Sequence, residues 1–246
     1  MRKKILLYNP KAVFFDMPLA LLAIGSVLDA TKYEVIIVDG RIDENPLKTI
    51  ESHLSEALCL GVTSLTGSPI KDGIYISRKV KEMAPHLPVI WGGWHTSLFP
   101  EQTLHDEASI DITVQGQGEL TFKELVTALD ENTSLELIKG ICYRDSAGNI
   151  KKNHARVITP MDVFADVNYD LIDVEKYFAK KGKRQLDYIS STGCHFRCTF
   201  CADPFVYERK WTAISPEIMV DKLAALHQKY AFTDLNLQDE TYFTFR

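Results

Sequence analysis

The sequence predicts an α/β fold, a doubly wound parallel sheet followed by the start of a second strand–helix unit. Three observations predict it. Short β-rich runs alternate with helical stripes over the first 130 residues, the pattern of strands joined by crossover helices. The alternation breaks near Glu131, and a new strand–helix pair begins at Leu186. The composition, 46% apolar and 25% charged over 246 residues, is that of a globular chain of one to two domains.

The first strand is predicted at residues 4–8. Basic residues Arg2, Lys3 and Lys4 precede it as in a leader peptide, but the apolar run stops at Asn9-Pro10, too short for one. Further strands are predicted at 34–38, 58–63, 88–91 and 111–115. Between them lie apolar stripes at helical spacing: Leu19, Leu22, Ala23, Ser26 and Val27, then Leu47, Ile50, Leu54 and Leu58, then Phe122, Leu125, Val126 and Leu129. Such sheets bind ligands outside the carboxyl ends of their strands. Residues 140–152 form a hairpin around the turn Asp145-Ser146-Ala147-Gly148-Asn149, and a linker follows. The expected division is a sheet domain at 1–135, hairpin and linker at 136–185, and a second unit at 186–246. In that unit a strand at 186–190 precedes a helix with Ser215 as N-cap, Pro216 at its first position and Glu217 in its first turn. Met219, Leu223, Leu226 and Tyr230 give the helix an apolar stripe, and residues 234–238 form the next strand.

A net charge of −5 does not draw the chain to nucleic acid or anionic lipid. No run approaches the roughly 18 apolar residues of a membrane span. A cytoplasmic protein is expected, with no nucleic-acid or membrane partner. Five cysteines, three of them within eight residues, make a poor disulfide framework and a better metal site. Cys194, Cys198 and Cys201 have the spacing CxxxCxxC. Soft thiolates so spaced can surround one metal centre; iron–sulfur clusters are one occupant. Structural zinc with His195 as fourth ligand is the other, although His195 adjoins Cys194 awkwardly for chelation. Cys59 and Cys142 are expected to be small buried hydrophobes.

With Phe200 before the third cysteine and a strand before the loop, the motif resembles that of the radical S-adenosylmethionine (SAM) superfamily. The resemblance implies a [4Fe-4S] cluster on Cys194, Cys198 and Cys201 whose open iron chelates SAM. It also implies a flavodoxin or ferredoxin reductant and release of a 5′-deoxyadenosyl radical. Phe200, Asp239 and Glu240 then fall near SAM, with a plain turn at Asp239-Glu240 equally open.

The upstream loops, taken singly, suit structural turns, a receiver or a flavodoxin-like domain. Together, Asn9-Pro10, Asp39-Gly40-Arg41, Gly92-Gly93-Trp94-His95 and Gly116-Gln117-Gly118-Glu119 resemble the cobalamin-binding domain of one radical SAM subclass, that of class B methyltransferases. By that resemblance Ser64, Thr66 and Gly67 lie near the corrin. Gly92, Gly93, Gly116 and Gly118 lie near the nucleotide tail, a branched side chain at Gly93 would block it, and Asn9 and Glu119 are further cofactor-binding residues. His95 is either a tail contact or a plain loop histidine. The Asp-x-His-x-x-Gly motif of an axial histidine is absent.

The activity so implied is methyl transfer to an unactivated carbon of a small-molecule or natural-product substrate. Relatives that cyclise or rearrange keep a second activity open. The same residues would also suit a non-catalytic cobalamin-binding module or a zinc-stabilised interaction protein. Few residues follow Cys201, so the second unit is expected to be the start of an incomplete radical SAM (β/α) barrel. The chain then looks like the N-terminal portion of a longer enzyme, and residues past about 171 should be poorly protected unless the first domain covers them.

Overall fold

The computed structural model describes residues 2–164 and 166–242. The N-terminal elements are β1 (Lys3–Asn9), α1 (Leu19–Ser26), β2 (Tyr33–Asp39), α2 (Pro46–Glu51), β3 (Ala57–Thr63), α3 (Pro69–Met83), β4 (Val89–Gly92), α4 (Trp94–Leu98), α5 (Pro100–Asp106), β5 (Ile112–Val114) and α6 (Glu119–Glu131). Then come β6 (Ile141–Arg144), β7 (Ile150–Lys152), α7 (Val174–Lys181), β8 (Gln185–Tyr188), β9 (Ser191–Gly193), α8 (Asp203–Val206), β10 (Trp211–Ala213), α9 (Pro216–Tyr230) and β11 (Asp234–Leu237).

Strands β1 to β5 are parallel, as the alternation requires, in the order β2-β1-β3-β4-β5. Each central strand is apolar on both faces because helices cover both. In β1, Ile5 and Leu7 pack with Phe122 and Leu125 of α6, while Leu6 and Tyr8 pack on the opposite face with Ile76 and Val80 of α3. The hairpin is not a separate linker element. β6 pairs antiparallel with β5, and β7 with β6, so the sheet has seven strands and extends beyond the expected 1–135 span. Ile141 and Cys142 are fully buried, and burying them against β5 favours that position over a free hairpin. Helices α3, α5 and α7 and the β9–β10 ladder were not foreseen in the sequence.

β8 and β11 form a two-stranded parallel pair apart from the large sheet. Residues past 171 are covered on one side by the first unit. Met17, Leu19 and Leu22 share a core with Tyr177, Phe178 and Leu186, and Leu226 and Tyr230 of α9 pack on it. Buried polar contacts weld the same seam. Asp187 accepts from the Met17 amide at 2.6 Å and pairs with Lys181 at 2.5 Å. The Tyr177 hydroxyl donates to Asp39 at 2.5 Å. Ser215 caps α9 as expected, accepting from the Ile218 amide. Among the described residues no helix is long and apolar enough to cross a membrane.

Candidate functional site

The loops at the carboxyl ends of β3 and β4 are locked together by their own backbone. Ser64 donates to the Gly92 carbonyl through its amide (2.7 Å) and its hydroxyl (2.8 Å), and the Ser64 carbonyl accepts from the His95 amide at 3.1 Å. Gly93 makes this possible. Its φ of +101° is unfavourable for any residue with a Cβ, and a Cβ there would lie 2.8 Å from the Ser64 carbonyl. Gly93 is therefore required by the backbone, and a branched side chain there would disrupt the loop before it blocked any ligand. His95 lies in the first turn of α4, with its Nδ1 3.3 Å from the Thr66 hydroxyl; burial lowers its pKa. Gly67 adopts a φ of +131° in open surroundings. Asn9 ends β1, buried, with its amide nitrogen unpartnered.

Beside these loops lies a cleft of about 230 Å³. Gly92, Gly93, Gly116, Gly118 and Glu119 line it. Asn9, Ser64, Thr66, Gly67 and His95 are not among its lining residues. Gly92 leaves a true vacancy: a Cβ there would find nothing nearer than the Val114 Cβ at 3.9 Å. Glu119 begins α6, and burial raises its carboxyl pKa, opposed by backbone amides. The far wall comes from the C-terminal part of the chain, through Met161, Tyr188, Thr192, Val206 and Tyr207. Sequence reasoning missed this wall. Tyr207 belongs to no motif, and Tyr188 is recognisable only as the end of a strand.

Thr192 also belongs to the frame of the cysteine loop, and Tyr207 to the loop itself. β9 and β10 pair antiparallel, Gly193 opposite Trp211, and so close residues 194–210 into one excursion. Gly193 fits there with a φ of +83°, and a Cβ would collide with the Lys210 carbonyl. Cys194 and Cys201 are half-buried, Cys198 is exposed, and all three are free thiols. The loop carries them together but does not close them onto a point. Among the described residues no three His, Cys, Asp or Glu side chains form a metal-holding group. The His195 ring nitrogen lies 3.2 Å from the Arg209 carbonyl, so its Nδ1 is turned to backbone rather than to the thiols. Phe200 is 91% exposed.

Asp239 and Glu240 both reach this frame. Asp239 Oδ1 accepts from the amides and hydroxyls of Ser190 and Ser191, which fixes the entry to the cysteine loop; its Oδ2 is buried without a partner. Glu240 accepts from the Gly193 amide at 3.3 Å. Desolvation of its carboxyl, and then the Asp203 and Asp239 carboxylates, raise its pKa to about 7, although the residue as a whole is exposed. Asp203, unmarked in the sequence, is buried with both carboxylate oxygens unpartnered.

Comparison with known proteins bears on this arrangement directly. Residues 10–126 match the B12 binding domain. The chain is 30% identical to the uncharacterized methyltransferase PH0819 of Pyrococcus horikoshii, over 92% of this chain and 49% of that protein. The chain resembles the cobalamin-binding radical SAM family along most of its length. It is also 28% identical to the anaerobic magnesium-protoporphyrin IX monomethyl ester cyclase of Synechocystis, over 91% of this chain and 45% of the cyclase. The radical SAM methyltransferase TsrM of Kitasatospora setae, solved with tryptophan and a SAM analogue, has the same fold. Its TM-score is 0.80 at 20% identity, over 97% of this chain and 48% of TsrM. The chain thus spans about half the length of the curated relatives it matches.

Proposed function

We propose that the chain serves a cobalamin-dependent radical SAM enzyme that transfers a methyl group to an unactivated carbon of a small-molecule substrate. The observation that carries this reading is the shared wall. Thr192 of β9, which frames the cysteine loop, and Tyr207, within that loop's own excursion, both line the glycine-rich cleft, so a ligand of the cleft and a ligand of the loop would be neighbours. The residues fit both groups. The vacancy at Gly92 and the apolar lining suit a flat cofactor tail, and three free thiols on one loop are a soft donor set for iron.

Cys194, Cys198 and Cys201 would hold a [4Fe-4S] cluster, and the cleft with the loops bearing Asn9, Ser64, Thr66, Gly67 and His95 would hold cobalamin. Bound together, the cluster, SAM and cobalamin supply a carbon-centred radical and a transferable methyl group. The protein's share is placement. Asp239 anchors the Ser190-Ser191 backbone and thereby the cysteine loop. Glu240, with its raised pKa, stands at Gly193 next to the first cysteine. Phe200, at its exposed position, would cover bound SAM. A flavodoxin or ferredoxin would deliver the electron.

Anaerobic reconstitution tests the reading. The expected product is brown, holds iron and sulfide, and retains cobalamin on gel filtration. Cys198→Ala should lose the iron and keep the cobalamin, whereas Cys59→Ala should keep both. Equal iron in Cys198→Ala, or zinc as the only metal recovered, would sink the cluster assignment. The Synechocystis relative favours a second reading, radical-driven ring formation; isotope from methyl-labelled SAM would then be missing from the product.

A further inference from the structure

We propose that Tyr207 is a positioning residue that couples the cleft to the cysteine loop: a ligand in the cleft steadies the loop for its cluster, and the cluster tightens the ligand in return. This rests on the cobalamin and cluster reading above and adds to it a linkage between the two loadings.

The first observation is the place of Tyr207. On one side its ring meets that of Trp94 edge-on, with centroids 6.0 Å apart and planes at 89°. Trp94 directly follows Gly93 and, like Tyr207, lines the cleft. On the other side Tyr207 backs onto Gly193, where a Cβ would lie 3.3 Å from the Tyr207 Cβ. Gly193 directly precedes Cys194. One residue therefore links the glycine loop of the cleft to the first cysteine. Both halves of the chain also reach it electrostatically: burial, and then the Glu240 and Glu119 carboxylates, raise its pKa.

The second observation is how little else holds the loop. The β9–β10 ladder closes its base. Among the described residues no hydrogen bond joins residues 194–210 to the first unit. The two meet across cavities instead. Val206 and Tyr207 line the cleft of about 230 Å³. With Phe205, Glu208 and Lys210 they also line a second cavity of about 180 Å³, opposite Gln115, Gly116 and Arg156. A wall that faces a cavity has no protein atoms packed against it on that side, so the protein alone fixes this loop loosely. A ligand in the cleft packs on Trp94 and Tyr207 together, and Tyr207 passes that constraint to Gly193 and Cys194. Leu21 of α1, by contrast, lines the cleft from the first unit's own core.

Linkage makes the coupling measurable from either site, because the factor by which the cluster raises ligand affinity equals the factor by which the ligand raises cluster affinity. The test is equilibrium dialysis of the whole chain against hydroxocobalamin, under anaerobic conditions, before and after reconstitution with iron and sulfide. Wild type should bind at least about fivefold more tightly once the cluster is loaded. Tyr207→Ala and Trp94→Ala should each abolish that difference, and the double variant should add nothing further, as expected of two residues on one route. Tyr207→Phe keeps the ring and should keep the difference; a loss there overturns the route through ring packing. Leu21→Ala should weaken binding in both states and leave their ratio unchanged. The same pattern in Tyr207→Ala would mean a merely structural role and overturns the proposal. Should Tyr207→Ala not fold, Trp94→Ala decides by the same criterion. Wild-type affinity that is equal or weaker with the cluster overturns the coupling and leaves the cobalamin reading standing. If wild type retains no hydroxocobalamin, or takes up no iron, the underlying reading fails and the coupling with it.

Discussion

The two halves of the chain are built from the same strand–helix unit and end in very different states. In the N-terminal half, β1 has neighbours on both edges and helices on both faces, and Ile5, Leu6, Leu7 and Tyr8 are all fully buried. In the C-terminal half, β8 and β11 pair only with each other among the described residues, and the fifteen-residue α9 has no buried residue. Its stripe of Met219, Leu223, Leu226 and Tyr230 is only half-buried. A unit of this kind is marginal alone. It is ordered here because its one well-packed face is shared with Met17, Leu19 and Leu22 of the first unit. The second half is thus a dependent of the first, through one apolar seam and through Asp187, which accepts from the Met17 amide across that seam and pairs with Lys181 within the second half.

The largest effect should come from breaking that pair. Asp187→Ala leaves Lys181, 6% exposed, without its counter-ion and frees the Met17 amide. The expected loss is about 3–5 kcal/mol. Hydrogen exchange should show it in β8, β11 and α9, while β1, β3 and β4 keep their protection. Uniform loss across both halves would abolish the distinction between them.

A smaller effect separates two adjacent glycines in the self-sufficient half. Gly93→Ala forces a Cβ against the Ser64 carbonyl at a positive φ, for a cost of about 1–3 kcal/mol. Gly92→Ala enters open space and should change stability by no more than about 0.5 kcal/mol. Urea midpoints for the two variants decide the matter; matched values would mean that the loop is softer than the core it crowns.

The smallest effect is one of pH. The Glu240 pKa is raised to about 7 from 4.5, so the native state holds that proton more tightly than the unfolded chain does. Its contribution to stability is complete below about pH 4.5 and is lost as pH rises toward 7. Glu240→Gln should flatten this part of the stability profile. An unchanged slope would assign it to another group.

Much of this was legible along the chain. Five parallel strands appeared within one or two residues of their observed ends, because strands covered on both faces carry near-continuous apolar runs. The α9 cap was readable at Ser215-Pro216 for a local reason, since one side chain and one amide make it. The antiparallel seating of β6 and β7 was not readable. A hairpin's own sequence specifies its turn, whereas its place depends on which edge of a distant sheet offers unpaired groups. Gly93 was singled out from the motif but for ligand approach; the structure assigns it first to backbone geometry. Asp203 carried no sequence signal at all, since burial without partners is a property of the surroundings.

By itself, then, the sequence determined the order and type of the main elements, the glycine loops at the strand ends and the three thiols on one loop. Each follows from residues within a few positions of one another. Only the tertiary structure decided that β8 rests on the first unit through Asp187, that β9 and β10 frame the cysteines, and that Tyr207 faces Gly92 across one cleft. Those are contacts between residues far apart in the chain. They are selected by the burial of apolar surface and the pairing of buried charge in three dimensions, which no local pattern encodes.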